Sequence, residues 1–357
     1  MGSNQTYIFQ KKHIFAKIKK SEVQRLKITS QLMKKPQGRT FANLYGNILH
    51  LAMIEVSIDA IAALIQHYDP PLRCFTFQNF QLAPTIEEFE QILRCPLGDR
   101  KRYLFSGHYS SMAKIAAVLK IEESELLKKK QNRNNVEGFP LSYLEETTQI
   151  MAAREEWEVY MDVLAMMIYG VVLFPRCDQF IDLAAIDAFM AYKHKRECPV
   201  ITILADTLHT LNVCYEKKNE KLMCCLPVLF VWLVTTIFKR SGGAVCPIED
   251  FKGCSIKKDL DWQFYMASMS QSNVRWCPRW KNLTEMIWRC GDFPNVPLMG
   301  TRACINYNPI IGMRQHRRPI QGPPSEEVIT PFLVPNLQNQ EMLTRVRRAW
   351  EKVVKKK

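Results

Sequence analysis

The chain lacks the short signatures that usually mark chemistry on nucleotides, metals or acyl groups. It has no G-x-G-x-x-G and no Walker A loop, so the usual glycine cradle for phosphates is missing. It has no H-E-x-x-H and no G-x-S-x-G, which removes the usual helix pair of a zinc protease and the nucleophile elbow of a hydrolase. Three parts of retroelement enzymes are absent as well: a D-T/S-G turn, a C-x2-C-x4-H-x4-C knuckle and paired polymerase aspartates. Tyr160-Met161-Asp162-Val163 opens like a Y-x-D-D motif, but Val163 replaces the second carboxylate and the segment reads as helix. No C-x2-C or H-x3-H pair exists, so Cys224, Cys225, Cys246 and Cys254, with His194, Cys198 and His209, would form a zinc site only if folding gathered scattered ligands. The twelve cysteines are dispersed without a repeated spacing and read as reduced, buried thiols; no Cys/His pair sits in a nucleophile frame. No catalytic, cofactor-binding or metal-binding residue is nominated, and the chain reads as a non-enzyme.

The N-terminus also lacks the apolar run of a secretory signal. An intracellular location is expected, with the sequons at Asn4 and Asn282 accidental. The strongest membrane candidate, Leu222 to Phe238, is seventeen residues long, at the lower edge of the roughly 17 to 25 that span a bilayer. Pro227, Thr235 and Thr236 weaken it. The alternative is a central buried helix starting at Pro227, apolar on every side because other helices surround it. No internal repeat stands out.

What the chain does contain is concentrated in Tyr68 to Leu97, YDPPLRCFTFQNFQLAPTIEEFEQILRCPL. Before it, Val56, Ile58, Ile61, Ala62, Leu64 and Ile65 recur at helical spacing, and Asp69-Pro70-Pro71 cannot continue that helix. Cys74-Phe75-Thr76-Phe77 is β-prone, and Asn79 with Pro84 brackets the next turn. Thr85 and Glu88 then form a capping box opening a helix whose buried face is Ile86, Phe89, Ile92 and Leu93.

This order of helix, Tyr68-Asp69-Pro70 turn, Phe75-Thr76-Phe77 strand and Pro84-Thr85-x-x-Glu88 helix resembles the plant mobile domain, a transposon-derived family, and is most similar to its retroelement-associated branch. Leu173-Phe174-Pro175, Ile201 to Asn212, Leu226 to Trp232 and Gly312-Met313-Arg314-Gln315 extend the resemblance over roughly residues 40 to 335. The resemblance implies an element-derived, non-catalytic interaction module acting in the nucleus, in silencing or genome maintenance, with phosphatase-like protein partners. Some relatives carry an aminotransferase-like label, which would imply a pyridoxal phosphate lysine. No desolvated lysine can be located, since Lys128 to Lys130 and Lys193 to Arg196 read as solvated faces.

The expected fold is mainly α with a few short β strands: an irregular helical globule with a central buried apolar helix and basic terminal arms. Helices are expected over Ser111 to Leu119, Glu122 to Lys130, Tyr143 to Tyr169, Ala184 to Ala191, Val200 to Tyr215 and Pro227 to Phe238. Residues 1 to 40 read as a basic arm with a helix around Ser21 to Met33, 41 to 335 as the body, and 336 to 357 as a basic C-terminal helix and tail. The polar tract 128 to 140 reads as a hinge, and Ser241-Gly242-Gly243 closes the apolar helix. From Val274 to Pro309 aromatics and prolines suggest short strands. There Arg275-Trp276-Cys277-Pro278-Arg279-Trp280-Lys281 would either stack bases or anchor a loop-rich layer.

Charge is uneven. Of the net +14, residues 1 to 40 carry +9 and residues 345 to 357 carry +6, leaving the body at −1. A basic groove built into the body would leave positive charge there, so the candidate contacts for nucleic acid or nuclear import lie at the ends. They are Lys11, Lys12, Lys17, Lys19, Lys20, Arg25 and Lys27, followed by Lys34, Lys35 and Arg39, and at the C-terminus Arg345, Arg347, Arg348, Lys352, Lys355, Lys356 and Lys357. Such arms bind phosphates by counterion release, as an element-encoded gag-like protein would, or serve only as solvated tails. Met1-Gly2-Ser3-Asn4-Gln5-Thr6 fits the myristoylation pattern at Gly2, and an acyl chain beside a polybasic patch would make a peripheral membrane protein, the third reading.

Overall fold

The computed structural model describes residues 12–95, 100–238, 245–276, 280, 286–309, 311 and 339–356. The architecture is mainly helical, with small sheets of two or three strands set between the helices. At its centre lies the helix Leu226–Ile237, every residue of which is buried. Pro227 sits in its first turn, where the missing N–H costs nothing and the fixed φ suits a helix. The helices Ile48–Ala52, Ile58–Ile65, Ile86–Leu93 and Pro247–Gly253 pack around it, so an all-round apolar surface is what burial requires. Thr235 and Thr236 satisfy their hydroxyls within the helix, on Val231 O at 2.8 Å and Trp232 O at 2.7 Å. Among the described residues no helix is long and apolar enough to cross a membrane.

The Tyr68-to-Leu93 segment forms the wall beside this helix. Tyr68–Asp69, Cys74–Thr76 and Gln81–Leu82 make a three-stranded antiparallel sheet, turned by Arg73 in the left-handed region at φ 56°. The side chains fasten it to three neighbours. Tyr68 Oη donates to Asn212 Oδ1 at 2.7 Å on the long helix Val200–Glu216. The Phe75 ring lies 5.8 Å from that of Trp232. Pro84 O accepts from Tyr307 Oη at 2.9 Å. Thr85 and Glu88 close the capping box, and the same Glu88 Oε2 that accepts from Thr85 N also accepts from Trp232 Nε1, each at 2.9 Å.

A second helical layer surrounds Trp157–Ile168, which contacts the helices Gln24–Gln31, Lys35–Tyr45, Ile48–Ala52, Met112–Leu119, Leu141–Ala153 and Leu183–Lys195. The continuous helix expected over Tyr143 to Tyr169 is instead two, Leu141–Ala153 and Trp157–Ile168, followed by a wide turn at Tyr169–Leu173. Glu155 takes φ 57° at the break. Neither glycine nor proline marks that site; the first helix closes on a left-handed cap, with Glu156 N donating to Met151 O at 2.9 Å. The tract read as a hinge, 128 to 140, carries a hairpin of Gln131–Arg133 and Val136–Pro140, extended by Phe180–Asp182. Asn134 and Asn135 turn it at φ 52° and 62°, the left-handed pair that a two-residue hairpin needs.

The helices expected near both ends form, and their burial against the body departs from the reading as arm and tail. The described part of the N-terminal arm folds onto the body: Leu26 and Thr29 are buried under Gln24–Gln31, and Phe41 under Lys35–Tyr45. At the C-terminus, Gln340–Glu351 buries Leu343, Val346, Ala349 and Trp350. The strand Val353–Lys356 then pairs antiparallel with Met286–Cys290. An apolar stripe every third or fourth residue, masked in composition by the arginines between, explains why this end is structure and not tail. Ser241-Gly242-Gly243 and Gly312 to Gln315 lie outside the described residues.

Glu88→Ala removes one half of the capping box and leaves the buried indole N–H without an acceptor. A loss of about 2–4 kcal/mol is expected in urea unfolding, with Glu88→Gln, which keeps an acceptor oxygen, costing less. Equal, negligible effects would show that the node is dispensable.

Candidate nucleic-acid interface

The chain just after residue 11 is held along its length. Ile14 is buried, its N–H donating to Gln66 Oε1 at 3.1 Å and its carbonyl accepting from Gln66 Nε2 at 3.0 Å. Ala16–Lys17 then pairs parallel with Glu220–Lys221, where Asn219 N donates to Phe15 O at 2.7 Å and Leu222 N to Lys17 O at 3.0 Å. Strand alternation does the rest: Ile14 points inward while Phe15 and Lys17 face solvent. Lys12 Nζ donates to Tyr215 O at 2.6 Å and stands 4.9 Å over that ring.

This pairing places body lysines beside the arm. Lys217, Lys218 and Lys221 are exposed in the turn and strand that receive it. Phe15 is 48% exposed, with Lys218 Nζ 5.7 Å above its ring and His13 packed against its edge at 4.5 Å. Lys17, Lys19, Lys20 and Lys221 line an adjoining shallow cleft with Arg176. Glu216 and Glu220 are the acidic residues among these turn and strand positions, so the face keeps an excess of positive charge around one exposed aromatic ring. Lys19 is committed to exposed pairs with Asp178 at 2.9 Å and Glu22 at 3.6 Å, which are weak in water.

The other candidates separate from this face. Arg25 pairs with Glu145 at 2.5 Å and Lys27 is half-buried, both on the helix packed against Trp157–Ile168. Lys34, Lys35 and Arg39 are exposed on the next helix or its start. At the other end, Arg347 Nη2 donates to Leu104 O at 2.7 Å and is structural. Arg345 lies 5.7 Å over the Phe293 ring, and with Arg348 and Lys352 it borders a small pocket. Lys355 sits opposite Ile287 in the terminal sheet, and Lys356 opposite Met286. Gly2, Lys11 and Lys357 lie outside the described residues.

Other motifs turn out to be internal. Tyr68, Phe75, Phe77, Pro84, Thr85 and Glu88 are buried, with Asp69, Pro70 and Thr76 half-buried, so the motif that carries the resemblance builds the core. In the aromatic run, Arg275 Nη1 and Trp280 Nε1 both donate to the buried Asp250 Oδ2 at 2.8 Å. Trp276 Nε1 bonds Gln271 O at 3.0 Å. These residues anchor a layer; Cys277, Pro278, Arg279 and Lys281 lie outside the described residues. Lys217, Lys218 and Lys221 escape a reading by summed charge because acids elsewhere cancel them. The run Lys217-Lys218-Asn219-Glu220-Lys221 is the local signal that marks them.

Among the described residues no group of three or more His, Cys, Asp and Glu is arranged to hold a metal ion. Burial, helped by Arg302 and Arg73 and opposed by Asp206, pushes His209 down to about 4. Burial also pushes the thiols up, Cys214 to about 11 and Cys225, Cys290 and Cys304 to about 12. A protonated, enclosed thiol is a poor nucleophile and ligand. In native protein at pH 8, iodoacetamide is therefore expected to label the half-buried Cys177, Cys246 and Cys254 well before Cys225, Cys290 and Cys304, with denaturant erasing the difference in mass-spectrometric peptide maps. Early labelling of Cys225 in folded protein would contradict this burial.

Comparison with curated proteins and with solved structures finds no match. A family model described as a domain of unknown function matches residues 26–357, which takes in both the central helix and the terminal sheet. The chain belongs to that family, DUF7745.

Proposed function

We propose that this protein is a non-catalytic binding module that holds nucleic acid by its phosphates on the N-terminal basic face. One observation carries the reading: the pairing of Ala16–Lys17 with Glu220–Lys221 brings the segments that carry Lys12, Lys17, Lys217, Lys218 and Lys221 together beside the exposed Phe15, whose ring lies under Lys218 Nζ. Lysines on a short ordered strand and its receiving turn supply phosphate contacts at low entropic cost, because their backbone is already fixed. An exposed aromatic ring among them supplies a platform for an unpaired base. The occupant favoured by this combination is single-stranded nucleic acid.

The resemblance to the plant mobile domain supports the setting: an element-derived protein, acting in the nucleus, either on its own element's nucleic acid or as a silencing module with phosphatase-like partners. The face serves both. The buried state of the motif residues favours a scaffold role for that motif, so a protein partner is assigned no surface here. Attachment through Gly2 would place the same basic face against an anionic membrane.

Fluorescence anisotropy with a labelled single-stranded RNA tests the proposal. Affinity is expected to fall steeply with salt, with a slope of about −0.7 per phosphate neutralised. Lys217→Glu with Lys218→Glu and Lys221→Glu should weaken binding at least about tenfold, or roughly 1.4 kcal/mol, while Arg345→Glu with Arg348→Glu has little effect. Phe15→Ala should cost about 1–3 kcal/mol on single strands if bases stack there. Unchanged binding by the triple lysine variant would move the site elsewhere.

A further inference from the structure

A cleft of about 810 Å³ shares no lining residue with the basic face. Its walls come from four segments: the loop Ser106 to Ser111 and the helices Met112–Leu119, Trp157–Ile168 and Leu183–Lys195. It falls within the roughly 300–1,000 Å³ usual for small-molecule sites.

The chemistry of the lining is divided by depth. Val118, Val159 and Met190 are buried and apolar, and two carboxylates are buried beside them. Asp162 is 4% exposed, accepting from Tyr45 Oη and paired with Lys193 Nζ at 2.6 Å. Asp187 is 7% exposed and accepts from Tyr103 Oη, Ser110 N and Ser110 Oγ, each at 2.8 Å, with no cation in salt-bridge reach among the described residues. These bonds fix both carboxylates without using every lone pair, leaving acceptors at depth for a ligand's hydroxyl or amine hydrogens. At the mouth stand exposed Lys114 and Lys195, together with one exposed carboxylate, Glu158. Lys120 at the same mouth is tied to Glu156 at 3.0 Å. Lys114 and Lys195 have no ion pair among the described residues.

A ligand that satisfies this gradient is anionic at one end and hydroxyl-rich at the other, and a base, where one is present, lies on Val118, Val159 and Met190. We propose that the cleft binds a phosphorylated ribose, as a free sugar phosphate or a nucleoside monophosphate, with its phosphate at Lys114 and Lys195 and its hydroxyls donating to the carboxylates. Carboxylate acceptors for a sugar diol and ammonium groups for a phosphate are the complementary pairings of charge-assisted hydrogen bonding. This site is independent of the nucleic-acid face: it shares none of that face's residues.

Isothermal titration calorimetry of the full chain with four probes decides it: ribose 5-phosphate, adenosine monophosphate, adenosine and inorganic phosphate. The two phosphorylated sugars are expected to bind at least about tenfold more tightly than either adenosine or phosphate alone, since each of the latter fills only one end. Tighter binding of adenosine monophosphate identifies a nucleotide site; equal binding identifies a sugar phosphate site. Lys114→Glu with Lys195→Glu should abolish the signal, and Lys217→Glu with Lys218→Glu should leave it intact, which separates failure here from failure of the nucleic-acid reading. Circular dichroism verifies the fold, and Lys114→Gln with Lys195→Gln replaces the glutamate pair if that pair unfolds. No heat with any probe at millimolar concentration, binding of adenosine or phosphate equal to the phosphorylated sugars, or undiminished binding by a folded Lys114/Lys195 variant would each overturn the assignment.

Discussion

The Glu88 carboxylate, buried beneath the central helix, holds the start of its own helix through Thr85 and the indole of Trp232 through the same oxygen. Much of the architecture depends on where that oxygen sits. It fixes Ile86–Leu93 against Leu226–Ile237, and Phe75 and Tyr68 then carry the adjoining sheet onto Trp232 and Asn212. A carboxyl group in an apolar interior is costly unless its hydrogen bonds are made. The sequence meets that demand with a cap and an indole, so a local motif becomes a tertiary constraint.

The second organising feature is the incorporation of both basic ends. Lysines and arginines on a free tail keep many conformations, whereas here Ile14 and the Gln66 amide fix one end and Trp350 fixes the other, its Nε1 donating to Pro297 O at 2.8 Å. Charge that averages to almost nothing across the body becomes local once Ala16–Lys17 meets Glu220–Lys221. The mouth of the cleft repeats the pattern on a smaller scale, with exposed lysines above buried carboxylates. Summed charge therefore says little about this protein; the placement of each residue decides what its surface offers.

Local physics was legible in the sequence, and long-range pairing was not. The Thr85–Glu88 box, the turn at Asp69-Pro70-Pro71 and the start of the central helix at Pro227 each depend on residues within one or two turns. The break before Trp157 puts Glu155 in the left-handed region, and no breaker residue announces it. Asn134-Asn135 was a usable hairpin signal inside a tract whose polarity suggested a hinge. The basic face required a strand too short to show alternation, paired to a turn in the other half of the chain. The cleft has no motif at all, because each of its four segments contributes ordinary residues.

The basic N-terminal segment is part of the fold and forms one face with Lys217 to Lys221. Hydrogen exchange at the Asn219 and Leu222 amides, which donate to Phe15 and Lys17, tests it most directly, measured in the full chain and in a chain lacking residues 1 to 20. Marked protection of both amides is expected in the full chain and its loss on deletion, with the central helix still protected. Exchange of both amides at unfolded-chain rates in the full-length protein would contradict it and return the basic segment to the status of a free tail.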